Sequence, residues 1–291
     1  MTTVEDRFGL KPLWDALLDI HAEFVKICKK HGLTYYVAYG TALGAVRHKG
    51  FIPWDDDFDV IMPREDYDKF ISLPASEFPA HLKLVNWNNT PEFPHVFSKV
   101  MDVRPEKVGE VESAVGYAQN QGLFIDVFPL DGYPNGVLGL KWWHLKYLVL
   151  RCIEWGIEKK KIKKRIHYVE RALGLVFHVL TPWYRKHADV MPFMERLSRP
   201  VPYEACKTCG YVVNKTFFCP KIHRKETFGV PRKVPFMGTE VCIASDYDAY
   251  LRVEYGNYMK MPPTEKQKPN HGDQFIAPWK FGPTRGEASA Q

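Results

Sequence analysis

The chain has 291 residues, 45% of them hydrophobic and 25% charged, and Lys+Arg 40 against Asp+Glu 34 gives a formal net charge of +6. Those proportions exclude a disordered or collagen-like chain, no apolar run reaches the roughly 20 residues of a membrane span, and the basic excess is too small to argue for nucleic acid. The opening MTTVEDRFGL lacks the basic-then-apolar layout of a secretion signal, so a cytoplasmic globular protein is expected, with Cys28, Cys152 and Cys242 as reduced core thiols.

In chain order, Leu13, Trp14, Leu17, Ile20, His21, Phe24, Ile27 and Cys28 recur at three- and four-residue steps and predict an amphipathic helix that Gly32 would end. A buried strand is expected at 35–38, then Gly40-Thr41 and a short helix of small residues to Val46. Gly50 and Pro53 break the chain before a second strand at 58–62, and Pro63 opens a helix whose first turn carries Glu65 and Asp66, as the helix dipole favours. Further strands are expected at 82–86, 96–101 and 123–128, followed by a helical section over 137–180. Its stretch 141–171 holds 10 Lys/Arg against 3 Glu, so the rest of the chain is close to neutral. Strand-like pieces at 211–213 and 241–244 precede a last helix at 246–255, with Ser245 as its cap, Gly256 at its end and a polar tail beyond Lys266. The order indicates an α+β fold.

The chemistry concentrates in 39–62, YGTALGAVRHKGFIPWDDDFDVIM. Asp55, Asp56, Asp57 and Asp59 put four carboxylates within five positions, and such crowding is costly unless a cation offsets it. Asp57 and Asp59, two apart on the expected strand, would share a face and suit a hard, oxygen-preferring ion such as Mg²⁺ shared with substrate phosphates. A solvated acidic loop is the alternative, against which the core-like flanks 51–54 and 60–62 argue; an EF-hand loop lacks its central Gly and final Glu. Gly40-Thr41, between a strand and a helix, would admit a phosphate to backbone N–H groups, although an ordinary tight turn looks the same. Arg47, His48 and Lys49 add a cationic patch. Asp126 sits inside the apolar run 124–128, where a carboxylate needs a metal, a cation or a proton. Asp131, beside Gly132, reads as a turn residue.

YYVAYGTALGAVRHKGFIPWDDDFDVIMPREDYDKF, then FIDVFPLDG, then DYDAYLRVEYGNYMKMPP resemble the successive motifs of the LicD family. Its members are phosphocholine or related alcohol-phosphate transferases, and the fukutin-related proteins belong with them. The resemblance implies a nucleotidyltransferase-like mixed β-sheet core with flanking helices. It implies Gly40 and Thr41 as the phosphate turn, Asp57 and Asp59 as the metal pair, and Asp126 as a third acid, either metal ligand or base. The implied reaction moves a phospho-alcohol, phosphocholine foremost, from a CDP-activated donor to a hydroxyl of a cell-surface glycan or lipid-linked precursor and releases CMP. Mg²⁺ or Mn²⁺ would be the cofactor, with Arg47 and His48 steadying phosphate oxygens. A choline group would call for an aromatic cage, for which Trp54, Tyr35, Tyr36 and Trp87 are available. Asn257 stands where the family more often has Asp. The expected organisation is a catalytic core in 1–135, a basic helical insertion in 136–200, a return to the core in 201–265 and a loose tail in 266–291.

Cys206, Cys209, Cys219 and His223 have the count and spacing of a structural Zn²⁺ site, and equally those of thiols packed in a core strand. The basic section reads either as a solvated helix with its apolar side in the core or as a surface docked peripherally on an anionic membrane. Two rival functions stand beside the transferase: a nucleotide-sugar glycosyltransferase using Asp57-x-Asp59, and a non-catalytic metal-binding protein of the membrane face. No nucleic-acid partner is expected.

Overall fold

The computed structural model describes residues 4–90, 93, 95–104, 108–109, 121–157, 176, 179–180, 187–211 and 221–269. Helix α1 (Lys11–His31) buries Leu13, Trp14, Leu17, Ile20, Phe24 and Ile27, the face its spacing predicts, and Gly32 ends it at φ 63 with its N–H on the Cys28 and Lys29 carbonyls. Strand β1 (Tyr36–Val37) leads directly into α2 (Tyr39–His48), and β2 (Asp59–Pro63) returns antiparallel to β1 before α3 (Arg64–Ile71). Strands β3 (Leu82–Val85), β4 (Ser98–Asp102), β5 (Val108–Gly109) and β6 (Gln121–Gly132) follow. Then come α4 (Val137–Ile157), α5 (His187–Ser198), β7 (Thr208–Gly210), β8 (His223–Arg224), the hairpin β9 (Arg232–Phe236) and β10 (Thr239–Ile243), and α6 (Tyr247–Tyr255).

The twelve-residue β6 organises the main sheet. It runs parallel to β2, with Asp59 opposite Asp126, and antiparallel to β4, with Lys99 opposite Asp126. Strands β1 and β3 extend the path to β1-β2-β6-β4-β3, while β5 and β7 pair with the ends of β6 and β8 pairs with β7. This mixed sheet with its helices is the expected α+β architecture and is consistent with a nucleotidyltransferase-like core. Rings from distant segments lock α1 and the hairpin to it: Trp14 stacks on Phe51 at 5.3 Å, and Phe51 meets Phe236 edge-on at 5.0 Å. A second, smaller core forms where Ile153 of α4 meets Val190, Met191 and Met194 of α5.

Several elements depart from expectation for physical reasons. Asp131 is a strand residue, because the Arg64 guanidinium neutralises it from α3 (Nε to Oδ1 2.6 Å, Nη2 to Oδ2 2.8 Å) and lets β6 continue through it. Asp57 precedes β2, which begins at Asp59. Asp246 rather than Ser245 caps α6, its carboxylate accepting the Ala249 N–H at 3.0 Å. A strand lies at Thr208–Gly210, ahead of the expected 211–213, of which 212–213 fall outside the described residues. The helical reading of 158–175 and 177–178 and the tail from 270 onward fall outside them as well.

Candidate active site

Two tethers shape the turn from β1 into α2. Tyr39 takes φ 44, a left-handed conformation uncommon for a side chain of its size, and its N–H is held at 3.0 Å by the Tyr250 hydroxyl of α6. At the next residue a Cβ would stand 2.5 Å from Asp55 Oδ2, so only glycine leaves that carboxylate its place against the first turn of α2. Thr41 is fully buried and its Oγ1 accepts the Asp59 N–H at 2.9 Å, which fastens the start of β2 to α2. From the other side, the Trp14 indole N–H donates to the Asp55 carbonyl at 2.8 Å and fixes the acidic loop.

Asp55, Asp57 and Asp59 line a cleft of about 400 Å³ with Gly40, Arg47 and Trp54, while Tyr255, Asn257, Tyr258 and Lys260 line it from the end of α6 and the segment beyond. Across the sheet, Asp59, Asp126 and Lys99 sit side by side on β2, β6 and β4. The Lys99 ammonium donates to Asp126 Oδ1 at 2.6 Å and lies 3.3 Å from the centre of the Phe124 ring. Burial, reinforced by Asp57, Asp126 and Asp55, pushes the Asp59 carboxyl well above the usual carboxylate range, with Lys99 pulling the other way. Asp55 is raised in the same manner by burial, Asp57 and Asp56, and its Oδ2 is buried without a hydrogen-bond partner. Burial lowers Lys99, which Asp126 opposes. Acids so crowded want further positive charge, and an all-oxygen donor set with an orphaned carboxylate oxygen fits a hard divalent cation such as Mg²⁺ or Mn²⁺. Among the described residues, no three His, Cys, Asp or Glu side chains already stand close enough to hold one, and Asp126 is engaged by Lys99.

Other residues singled out by the sequence separate into two clefts and the core. Arg47 lines the first cleft with its Nη1 on the Tyr258 carbonyl at 3.0 Å and its Nε on His48 Nε2 at 2.9 Å. His48 lines a neighbouring cleft of about 540 Å³, and burial together with Arg47 pushes its ring down to about 4, so it is uncharged near neutrality rather than part of a cationic patch. Arg47 and Trp54 border both clefts. Tyr35 packs on Phe24 in the core and the Tyr36 hydroxyl donates to the Gly229 carbonyl at 2.5 Å; neither they nor Trp87 line the first cleft, where Tyr39, Tyr255 and Tyr258 stand with Trp54. Cys206 and Cys209 are buried free thiols, and Cys209 is the register partner of His223, whose Nε2 meets Glu254 Oε1 at 2.9 Å. Cys219, the remaining member of the zinc reading, lies outside the described residues.

Sequence reasoning gave no role to Asp55, Lys99, Tyr255, Asn257, Tyr258 or Lys260. Lys99 carried the same signal as Asp126, a charge inside an apolar strand (FSKVM), and the last four belong to the motif DYDAYLRVEYGNYMKMPP.

Residues 32–147 match the LicD/FKTN/FKRP nucleotidyltransferase domain. The chain is 28% identical to the lipopolysaccharide cholinephosphotransferase LicD of Haemophilus influenzae over 257 residues, 87% of this chain and 92% of that protein. Uncharacterized proteins of Rickettsia prowazekii and Rickettsia typhi are each 41% identical over 54 residues, 19% of this chain and 19% and 16% of theirs.

Proposed function

We propose that this chain, which belongs to the LicD family through its nucleotidyltransferase domain, transfers phosphocholine or a related phospho-alcohol from a CDP-activated donor to a hydroxyl of a cell-surface glycan such as lipopolysaccharide, releasing CMP. The observation that carries the reading is the convergence of acids beside a glycine turn: Asp55, Asp57 and Asp59 in one cleft with Gly40, and Asp126 in register with Asp59.

A Mg²⁺ or Mn²⁺ ion held by Asp57 and Asp59, with Asp55 or Asp126 completing its ligands, would neutralise pyrophosphate oxygens and stabilise the charge that develops on the departing CMP. The protein's own groups would do the rest. Gly40 lets the Asp55 carboxylate seat against the first turn of α2 at the edge of the cleft, and Arg47 and Lys260 bring positive charge to the same cleft, suited to phosphate. Tyr39, Trp54, Tyr255 and Tyr258 offer aromatic faces to a quaternary ammonium. Lys99 occupies one Asp126 oxygen, leaving the other to take the proton of the acceptor hydroxyl or to join the metal. The second cleft, bordered by Trp54 and Arg47 with Thr264 and Gln267, would give the acceptor sugar its own approach to the donor.

Incubating the purified chain with CDP-choline, Mg²⁺ and lipopolysaccharide tests the proposal by counting CMP released and phosphocholine transferred. Equal amounts of both are expected, with a loss on the order of a hundredfold or more in Asp57→Asn and in Asp59→Asn. Unchanged turnover in either variant would refute the site. Release of a nucleoside diphosphate from a nucleotide sugar, with no CMP from CDP-choline, would replace the reaction with glycosyl transfer.

A further inference from the structure

Adjacent tryptophans on α4 differ in burial. Trp143 is buried, its indole N–H donates to the Leu197 carbonyl at 2.6 Å, and its ring lies 4.8 Å from that of Tyr133, so this side of the helix is fixed to α5 and to the chain leaving β6. Trp142 is 65% exposed. It is not alone: Leu138 is 76% exposed, Leu145 52%, and Val137 and Val149 are exposed as well. At about 100° per residue these five side chains fall within an arc of about 140° over the first turns of α4. Lys141 lies inside that arc and Lys146 about 40° beyond it, both exposed, and 137–153 contains no carboxylate, the first in α4 being Glu154. The sequence that continues from α4, 158–171, adds seven Lys/Arg against two Glu.

We infer that this face of α4 docks on an anionic lipid bilayer. Five large apolar side chains in one contiguous stripe are more than scattered surface hydrophobes and need a cover. The flanking cations select its chemistry. Apolar side chains with Trp at the border, lysines at hand and no acid before Glu154 suit the headgroup region, where the stripe sinks to the acyl boundary and the ammonium groups reach anionic lipid phosphates. A second copy fits worse, because a symmetric interface centred on the stripe would bring Lys141 and Lys146 against their own equivalents with no carboxylate to pair them. The inference is independent of the proposed transfer reaction, since none of these residues lines either cleft.

The test is co-sedimentation of the full chain with vesicles of phosphatidylcholine containing about one-third phosphatidylglycerol, set against pure phosphatidylcholine. Binding to the anionic vesicles about tenfold or more tighter than to the neutral ones is expected, weakening with salt. Trp142→Ser combined with Leu145→Ser should lower it about tenfold or more at an unchanged melting temperature, and each of Lys141→Gln and Lys146→Gln by about fivefold. Three results would overturn the inference: equal or absent binding to the two kinds of vesicle, wild-type binding by the Trp142→Ser, Leu145→Ser variant, or a concentration-dependent dimer in sedimentation velocity that the same variant abolishes.

Discussion

Replacing Lys99 by methionine probes how the acidic site is compensated. Lys99 is 6% exposed, Asp126 17%, and they meet at 2.6 Å. Removing one partner of a buried ion pair costs about 3–5 kcal/mol because the other charge is left uncompensated. The partial exposure of Asp126 puts Lys99→Met at the lower end, about 3 kcal/mol, a fall in melting temperature of roughly 5 °C for a chain of this size. The loss should also depend on Mg²⁺. Under the proposed metal site, Lys99 and the ion serve the same carboxylates, Asp59 and Asp126, so in the wild type they partly compete. Were deletion of the ammonium to tighten Mg²⁺ tenfold, saturating ion would return about 1.4 kcal/mol more stability to the variant than to the wild type, about 2 °C. Thermal melts of both proteins with Mg²⁺ and with chelator measure this difference. If Mg²⁺ shifts both proteins equally, Lys99 and the ion do not share a charge cluster and the reasoning fails.

Two further outcomes follow from single side chains. Gly40→Ala forces a Cβ to within 2.5 Å of Asp55 Oδ2, so the carboxylate must leave the turn; CMP release should fall at least about tenfold for a stability cost of about 1–3 kcal/mol, and wild-type kinetics would show that Asp55 has no part in the cleft. His21 is buried with its Nε2 unpartnered, and burial pushes its ring down from 6.5 to about 4. Its native value lies below the unfolded one, so the unfolded chain takes up the proton first and stability is lost as pH falls from about 6.5 to 4, by about 3 kcal/mol. Urea midpoints at the two ends of that window should converge in His21→Phe, and an unchanged pH slope would contradict the assignment.

What the sequence disclosed and what it concealed divide by range. The face of α1, the Gly32 stop and the acids opening α3 follow from residues within a few positions of one another, and the chain reads them directly. Asp131 was misread because Asp-Gly is a turn signal, whereas the group that keeps it in a strand, Arg64, lies 67 residues away. Likewise the turn at Tyr39 is held by a hydroxyl 211 residues later, which no local pattern announces. The two-residue spacing of Asp57 and Asp59 suggested two positions on one strand, but β2 starts at Asp59, so what gathers them is the loop tied down by Trp14 and by Thr41. Lys99 shows a different failure: a buried cation in a strand is as costly as a buried acid and as visible in the sequence, yet only the acid was read as chemistry.

The same balance sets what a cation would gain in the proposed site. Near it, Arg47 is partly committed to the Tyr258 carbonyl and to His48, and Lys99 to Asp126. Asp55 and Asp59 are held above their ordinary 3.8, so the native state keeps protons that the unfolded chain would release, and their ionisation opposes folding increasingly as pH rises through and beyond that value. His21 acts in the opposite sense, weakening the fold as pH falls. On the alkaline side the carboxylates between α2 and β2 therefore carry part of the strain, as the buried Asp131 carboxyl, pushed up to about 6, does elsewhere, and a positive ion bound between α2 and β2 would relieve it while exchanging for the retained protons. A cation that did so would draw its affinity from repulsion already present in the folded chain, and the rigid tethers at Thr41, Trp14 and Tyr250 would keep the acids from relaxing apart before it arrived.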